Sequence, residues 1–566
     1  MSFLFNRSVR HTVDLDRILS LPRRPTSAIE FGETIKGTLT DLLKTPGGTQ
    51  GLRAVQAAAL YDIGTHGGLF GPIPVGHGKT LISLMAPYVL DSERPLLILP
   101  ATLEKKTRKE MKKYAENWRV PANIQIVSYE KLGRVQYATL LEELNPDLIV
   151  FDEVHRAKNK KAAVTRRLVR YMRSRPDTKV VALSGTIMRK SLLDFGHILR
   201  WCLKDKAPIP TTDVELEEWA QALDEKVEEF ERADLGALKV FSGGVDDLDA
   251  VRRGFKDRLV STPGVVAVTS GEDDLVECSL RISALKYDVS DVTEAHFAKL
   301  RRDMLTPDDW QLMQAVDVWR HARELSLGLH YIWSPRPPDP WRNARRDWNA
   351  FVRETLSRSR TLDSELQVVQ ACDAGRLPNE TLEAWRAIKD SFTPNVVAMW
   401  HDDSALKVCL QWMKEPGIVW TEHDLFARRL AEMSGCKYYG AKGLTDRGEF
   451  IDDADPHTAV IVSIDANKEG RNLQHKWFRN LITAPPEGAD VWQQLLGRTH
   501  RPGQIADEVE ADVLLGCKEH ANAWRRALAA AEAIRDTTGA ESKLLLADVD
   551  WPSDDETACY AGARWR

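Results

Sequence analysis

Short apolar runs alternate with amphipathic stretches in two separate blocks of the chain. In the first block, residues 50–200, the runs are Leu96–Leu99, Ile124–Val127, Leu148–Phe151 and Val180–Leu183. Four or five apolar residues with β-branched members, bounded by polar segments, read as buried parallel strands. The segments between them are long enough for crossover helices, so the block predicts a doubly wound α/β domain. The same rhythm returns over 404–520, with strand candidates at Ile418–Trp420, Ala459–Ile464, Leu481–Thr483 and Val513–Leu515. Residues 521–546 predict a helix, and 547–566 read as a polar tail.

Between the blocks the pattern is mostly helical. Residues 213–234 carry ten acidic and two basic side chains and read as a solvated acidic helix. Residues 276–290 alternate enough for one or two strands. The segment SPRPPDP, 334–340, is too rich in proline for a helix and reads as a loop. The span from 186 to 418 is far too long for a bare linker, so it must fold by itself or pack on a neighbour. The division expected is an N-terminal extension (1–48), an α/β lobe (49–204), a mostly helical region (205–403), a second α/β lobe (404–546) and a tail (547–566).

Composition narrows the class. With 566 residues, 43% apolar and 28% charged, the chain fits a soluble globular protein rather than a disordered one. A net charge of −5 excludes a uniformly basic coat protein and leaves local basic patches as the route to nucleic acid. Seven cysteines without a Cys-x-x-Cys pair argue against a zinc ribbon or a disulfide scaffold and fit a reducing cytosol. The apolar patch near the N-terminus is too short for a signal peptide, and no stretch approaches the roughly 20 apolar residues of a membrane span. A cytoplasmic protein without membrane contact is expected.

Three constellations carry chemistry. Ile73-Pro-Val-Gly76-His77-Gly78-Lys79-Thr80 precedes an apolar helical pattern. Its glycines let the backbone wrap phosphate oxygens, Lys79 would reach the β- and γ-phosphates, and the Thr80 hydroxyl would ligate Mg²⁺. Alone, the segment also fits an ordinary glycine-rich turn. Next, Asp152-Glu153 follows the buried run Leu148–Phe151, and ligands of open α/β sheets bind at the carboxyl ends of strands. Asp152 would hold Mg²⁺ through water and Glu153 would polarise an attacking water. A helix N-terminus using two acids is the competing reading. Third, Arg498 and Arg501 are three apart, so a persisting helix would put them on one face, suited to a triphosphate's γ end. Surface arginines answering surface acids are the alternative.

Together these strings resemble the superfamily 2 helicases and translocases, most closely the Swi/Snf-type ATPase branch. DEVHRAKN (152–159) is similar to that branch's DEAHRIKN, and QLLGRTHRPGQ (494–504) to its QAxxRxHRxGQ. Leu52-Arg53-Ala-Val-Gln56 matches LRxxQ, whose glutamine reads adenine. Segments around Thr102, Ser128 and Thr186, and the string 463–473 with Gly470, Asn472 and Leu473, resemble further motifs. The resemblance implies two RecA-like P-loop lobes facing each other across ATP and Mg²⁺. Gln56, Gly76, His77, Gly78, Lys79, Thr80, Asp152 and Glu153 come from the first lobe. Gly470, Gln494, Arg498 and Arg501 come from the second. Thr102, Ser128, Lys158, Asn159, Thr186 and Asn472 are the implied nucleic-acid contacts. Ile73, Ile187, Asn467, Lys468 and Arg471 depart from the pattern.

Basic runs supply weaker evidence. Residues 156–175 carry nine Lys or Arg and no acid, and another run spans Lys105–Lys113. A motor tracking a phosphate backbone needs such charge, but a solvated helix face looks the same. Trp333, Trp341 and Trp348 interleave with arginines and could stack on bases; core tryptophans under snorkelling arginines are the favoured reading. The function expected is an ATP-dependent motor translocating on duplex DNA. A strand-separating helicase on branched DNA or RNA, and an ATP-gated binding factor with little turnover, are the alternatives.

Overall fold

The structure is a computed structural model. It describes residues 8–552, apart from 75, 161, 186–190, 225–226, 228–231, 269–275, 277, 313–314, 360, 469 and 539–541. The chain forms two compact units. One comprises Met1–Asp274 with Ala530–Ser542, the other Leu275–Ala529 with Lys543–Arg566.

In the first unit, the buried runs become parallel strands: β1 (Leu69–Gly71), β2 (Pro95–Leu99), β3 (Gln125–Ser128), β4 (Leu148–Asp152) and β5 (Lys179–Leu183). Their order is β1-β5-β4-β2-β3, with every pair parallel. Side chains alternate across a strand, so each run feeds both faces of the sheet. Leu96, Ile98, Ile149, Phe151 and Val180 enter one core, while Leu97, Leu99, Leu148, Val150 and Val181 enter the other. Helices Lys79–Val89, Glu104–Ala115 and Ala163–Ser174 make the crossovers. The N-terminal helices Val13–Ser20 and Ala28–Leu43 belong to this unit. Gly32 lies so close to the Ala54 carbonyl that a methyl group would not fit between them.

The second unit holds a seven-stranded sheet. Its members are β6 (Ser279–Lys286), β9 (Gly417–Thr421), β10 (Tyr438–Tyr439), β11 (Ala459–Ser463), β12 (Arg479–Ile482), β13 (Glu508–Leu515) and β14 (Asp548–Asp550); the intervening β7 (Leu329–Trp333) and β8 (Val396–Trp400) pair separately and antiparallel. The order is β10-β11-β9-β12-β13-β6-β14, again all parallel. Each unit is therefore an α/β layer structure of the RecA-like type. Among the described residues no helix is long and apolar enough to cross a membrane.

Several local expectations change. The 205–403 region is divided at 274/275, because β6 pairs with β13 along its whole length and so joins the second sheet. Of the expected acidic helix 213–234, the structure describes a helix over Asp213–Leu223, while 225–226 and 228–231 lie outside the described residues; that helix is amphipathic, burying Leu216, Trp219 and Leu223. Helix Asp339–Arg358 begins inside SPRPPDP: Pro340 sits in the first turn, where its missing N–H costs nothing. The polar tail also contributes structure. Residues 548–550 form β14 on the sheet edge, and Trp551 stacks on Trp524 with ring centroids 4.4 Å apart.

Between β7 and β8 the chain builds a small helical module from Asp339–Arg358, Glu365–Asp373 and Glu380–Ile388. Trp348, Val368, Cys372 and Leu382 form its core.

Candidate active site

The loop after β1 turns through two glycines that only a residue without a side chain tolerates readily. Gly76 has φ +101° and Gly78 φ +76°. A methyl group on Gly78 would run into the Gln56 side-chain nitrogen. Gln56 braces the loop: its Nε2 donates to the Gly78 carbonyl at 3.3 Å, and its Oε1 accepts from the Arg53 amide at 2.9 Å. Arg53 Nη1 donates to the Gly76 carbonyl at 2.6 Å. Gly78 then caps the Lys79–Val89 helix, with Lys79 and Thr80 in its first turn and His77 buried beside it. Helix N–H groups at such a turn favour anions.

Lys79 Nζ lies 3.2 Å from the Ile73 carbonyl and 3.3 Å from Glu153 Oε1. Glu153 stands directly after β4, in the left-handed backbone region at φ 54°, a conformation that clusters at functional sites. Ser184, after the neighbouring β5, donates to Glu153 Oε2 at 3.2 Å. His155 Nδ1 lies 2.9 Å from the Ser184 hydroxyl and 3.3 Å from Glu153 Oε2. Burial works against the charge on Glu153. The Lys79 ammonium and His155 overcome it and hold the carboxyl far below its ordinary range. The result is a carboxylate, largely but not wholly shielded, kept ionised at the carboxyl end of a parallel sheet. Asp152, which is buried, is adjacent, and Tyr129 donates to its main-chain carbonyl at 3.0 Å.

Of the other expected residues of this unit, Ser128 ends β3 and Thr102 follows β2 by three residues, at the same sheet end. Ser128 accepts from the Lys131 amide and caps a short helix. The Thr102 hydroxyl is buried without a hydrogen-bond partner. Lys158 and Asn159 follow the turn Val154–Ala157. Thr186 and Ile187 lie outside the described residues. Glu130 closes the Val127–Glu130 string that resembles a family motif, but its bracing role is not legible from that string. It accepts from the Ala101 amide at 2.9 Å and from Arg156 at 3.0 Å, tying two of these loops together.

In the second unit, the arginine pair is not on one helix face. The helix Ala489–Leu496 ends at Gly497, ahead of both residues. The guanidiniums converge all the same, because both turn to one carbonyl. Arg498 Nη1 donates to Arg471 O at 2.9 Å, and Arg501 Nη1 reaches the same oxygen at 3.5 Å. Arg498 Nε also donates to the Gln494 carbonyl at 2.7 Å, and Arg501 Nη1 to Asn472 Oδ1 at 2.7 Å. Gly470, at φ +79°, starts this seat. The buried Gln494 side-chain nitrogen has no hydrogen-bond partner. Between the arginines, His500 is held by Lys543 Nζ at 3.0 Å and by the Cys278 carbonyl at 3.0 Å, a brace that no motif spacing revealed.

The basic run 156–175 is not uniform. Arg167 is buried and donates to the Leu132 and Arg134 carbonyls at 2.6 Å each, so it serves the fold. Lys105, Lys109, Lys112 and Lys113 are exposed on the Glu104–Ala115 helix. Trp341 and Trp348 are core residues, and Arg345 covers Trp333 and Trp341 at 5.5 and 5.1 Å.

Residues 50–189 match the family model described as type III restriction enzyme, res subunit. They form a superfamily 2 helicase-like domain. The match spans the glycine loop, Asp152-Glu153 and Ser184, the residues whose geometry converges above. No curated protein matches the chain. The likeness of residues 50–189 to a helicase-like domain points, in general terms, to an ATP-dependent motor that acts on nucleic acid. Its site residues fit a nucleotide. Gly76 and Gly78 carry no side chain between a phosphate and the main chain, and Lys79 follows them directly in the first turn of its helix. Thr80 and Asp152 could hold Mg²⁺ in company with phosphate oxygens and water. Among the described residues no all-protein metal cluster exists.

Proposed function

We propose that this protein is a DNA-stimulated ATPase that translocates on duplex DNA and remodels DNA or protein–DNA complexes. The observation that carries the reading is the Lys79–Glu153–Ser184–His155 network at the carboxyl end of the first sheet. ATP with Mg²⁺ supplies the phosphoryl group and its charge compensation when bound. Lys79 and the amides of Gly76, His77, Gly78 and Thr80 bind the phosphates, with Thr80 and Asp152 on the metal side. Gln56 keeps the loop in register. Glu153, ionised, orients water and accepts its proton. Ser184 and His155 fix which carboxylate oxygen faces Lys79 and which does not. Arg498 and Arg501 supply positive charge to the transferred group, with Gly470 and Gln494 nearby in their unit. Thr102, Ser128, Lys158, Asn159, Thr186 and Asn472 contact the nucleic-acid backbone, as the resemblance implies, with the exposed lysines of the Glu104–Ala115 helix adding charge.

ATP hydrolysis with and without duplex DNA, in wild type and Lys79→Ala, tests the reading. Stimulation by duplex DNA that vanishes in Lys79→Ala is expected. Equal rates with and without DNA, or unchanged turnover in the variant, would refute it. A strand-displacement assay on forked DNA separates translocation from unwinding: no product is expected from a duplex translocase.

A further inference from the structure

The loop that seats the arginine pair is itself gripped by a side chain at a position where the resembling family carries an apolar residue. Arg471 uses both ends. Its carbonyl accepts from Arg498 and Arg501. Its guanidinium sits 2.8 Å from Asp452 Oδ2 through Nη1 and donates to the Lys442 carbonyl through Nη2. The guanidinium lies against Gly443, at φ +70°, and a methyl group there would collide with Nη2. The segment being gripped is fixed in turn. Asn467, buried, donates to the carbonyls of Tyr439, Gly440 and Ser463, each at 3.2 Å. The next residues complete the seat: Asn472 accepts from Arg501, and the Leu473 amide donates to the Arg498 carbonyl at 3.1 Å.

We propose that Arg471 is a positioning residue for ATP hydrolysis, holding the 470–473 loop so that its carbonyl sets the directions of Arg498 and Arg501. The inference rests on the reading of those two arginines as the pair that stabilises the transferred phosphoryl group. The planar guanidinium meets the carboxylate and the carbonyl from two separate nitrogens in fixed directions; a lysine has three donors on one nitrogen and cannot reproduce that fork. Asn467 and Arg471, both departures from the family pattern, thus act as one device. Their side chains fix the 439–452 segment and the arginine seat relative to each other.

The test measures kcat and KM for ATP with saturating duplex DNA in the full chain. Variants are Arg471→Ala, Arg471→Lys, Asp452→Asn, Arg501→Ala and the double Arg471→Ala/Arg501→Ala. Misplacing a catalytic group by about 1 Å costs roughly 100-fold, so Arg471→Ala should lower kcat by about 10- to 100-fold, with KM for ATP within about twofold. Arg471→Lys should recover part of the loss, and Asp452→Asn should fall in the same direction by a smaller factor. The double variant should fall below Arg501→Ala by a smaller factor than Arg471→Ala costs alone, since one of the two arginines that Arg471 directs is already gone. Wild-type kcat in Arg471→Ala, or a double variant whose loss is the full product of the two single losses, would overturn the proposal. If Arg501→Ala turns over normally, the reading of the arginine pair fails and takes this inference with it. If Arg501→Ala is slow while Arg471→Ala is not, only the Arg471 role fails. Should Arg471→Ala fold poorly by circular dichroism, Arg471→Lys and Asp452→Asn decide by the same kcat-against-KM split.

Discussion

Gly78 concentrates the geometry of the nucleotide loop in one missing methyl group. Its positive φ and the Gln56 side chain at its back both exclude a β-carbon. Gly78→Ala should therefore displace Gln56 and weaken nucleotide binding at least about tenfold, the equivalent of about 1.4 kcal/mol, read by titration with a fluorescent ATP analogue. The basic run makes a sharper distinction between residues of one type. Arg167→Ala takes the donor from the buried Leu132 carbonyl and from that of Arg134, and should cost about 1–3 kcal/mol in urea unfolding while DNA affinity holds. Lys109→Glu with Lys112→Glu should do the reverse, weakening DNA binding and lowering its salt dependence. The sequence shows Lys79, Asp152, Glu153 and the arginine pair because chemistry fixes their types at fixed spacing. It does not show that Glu130, Arg53 or Lys543 holds the motif loops, because those contacts join segments far apart in the chain and no local pattern encodes them.

At the scale of elements, legibility follows burial. β2 and β4 are buried along their whole length and stand out as apolar runs. β14 is exposed at every residue and β10 has only two, so backbone pairing alone makes them strands and hydropathy is silent. The helix start at Asp339 hid behind prolines that break a helix interior but suit its first turn. The β7–β8 hairpin was missed for another reason: its strands are separated by a whole helical module, so no short turn announces the pairing. That module has its own small core, and Trp348 is its largest member. Trp348→Ala should cost about 3–5 kcal/mol there. Amide exchange should speed up over 339–388 while the Lys79 loop stays protected, as a locally cooperative unit would show.

For the whole molecule, acid sensitivity is built in by histidines kept neutral. Burial pushes His197 down to about 4, His423 to about 4 and His520 to about 3. The unfolded chain takes up these protons near pH 6.5, so the stability they contribute is complete above that pH and is lost as pH falls toward 4. By pH 5 each should cost up to about 2 kcal/mol. Thermal melts should drop steeply between pH 6.5 and 5, and His520→Gln should flatten that slope; a melting temperature flat across the interval would contradict it.

The path of the chain has a consequence for how the protein could be taken apart. A cut between Asp274 and Leu275 makes two pieces, yet the second piece retains 530–542, which belongs to the first compact unit. Within that unit Lys256 donates to the Arg535 carbonyl at 2.9 Å, and Ala530 and Ala531 are buried. The fragments 1–274 and 275–566 should therefore complement each other when expressed from separate genes, the later piece bringing back a part the earlier one lacks.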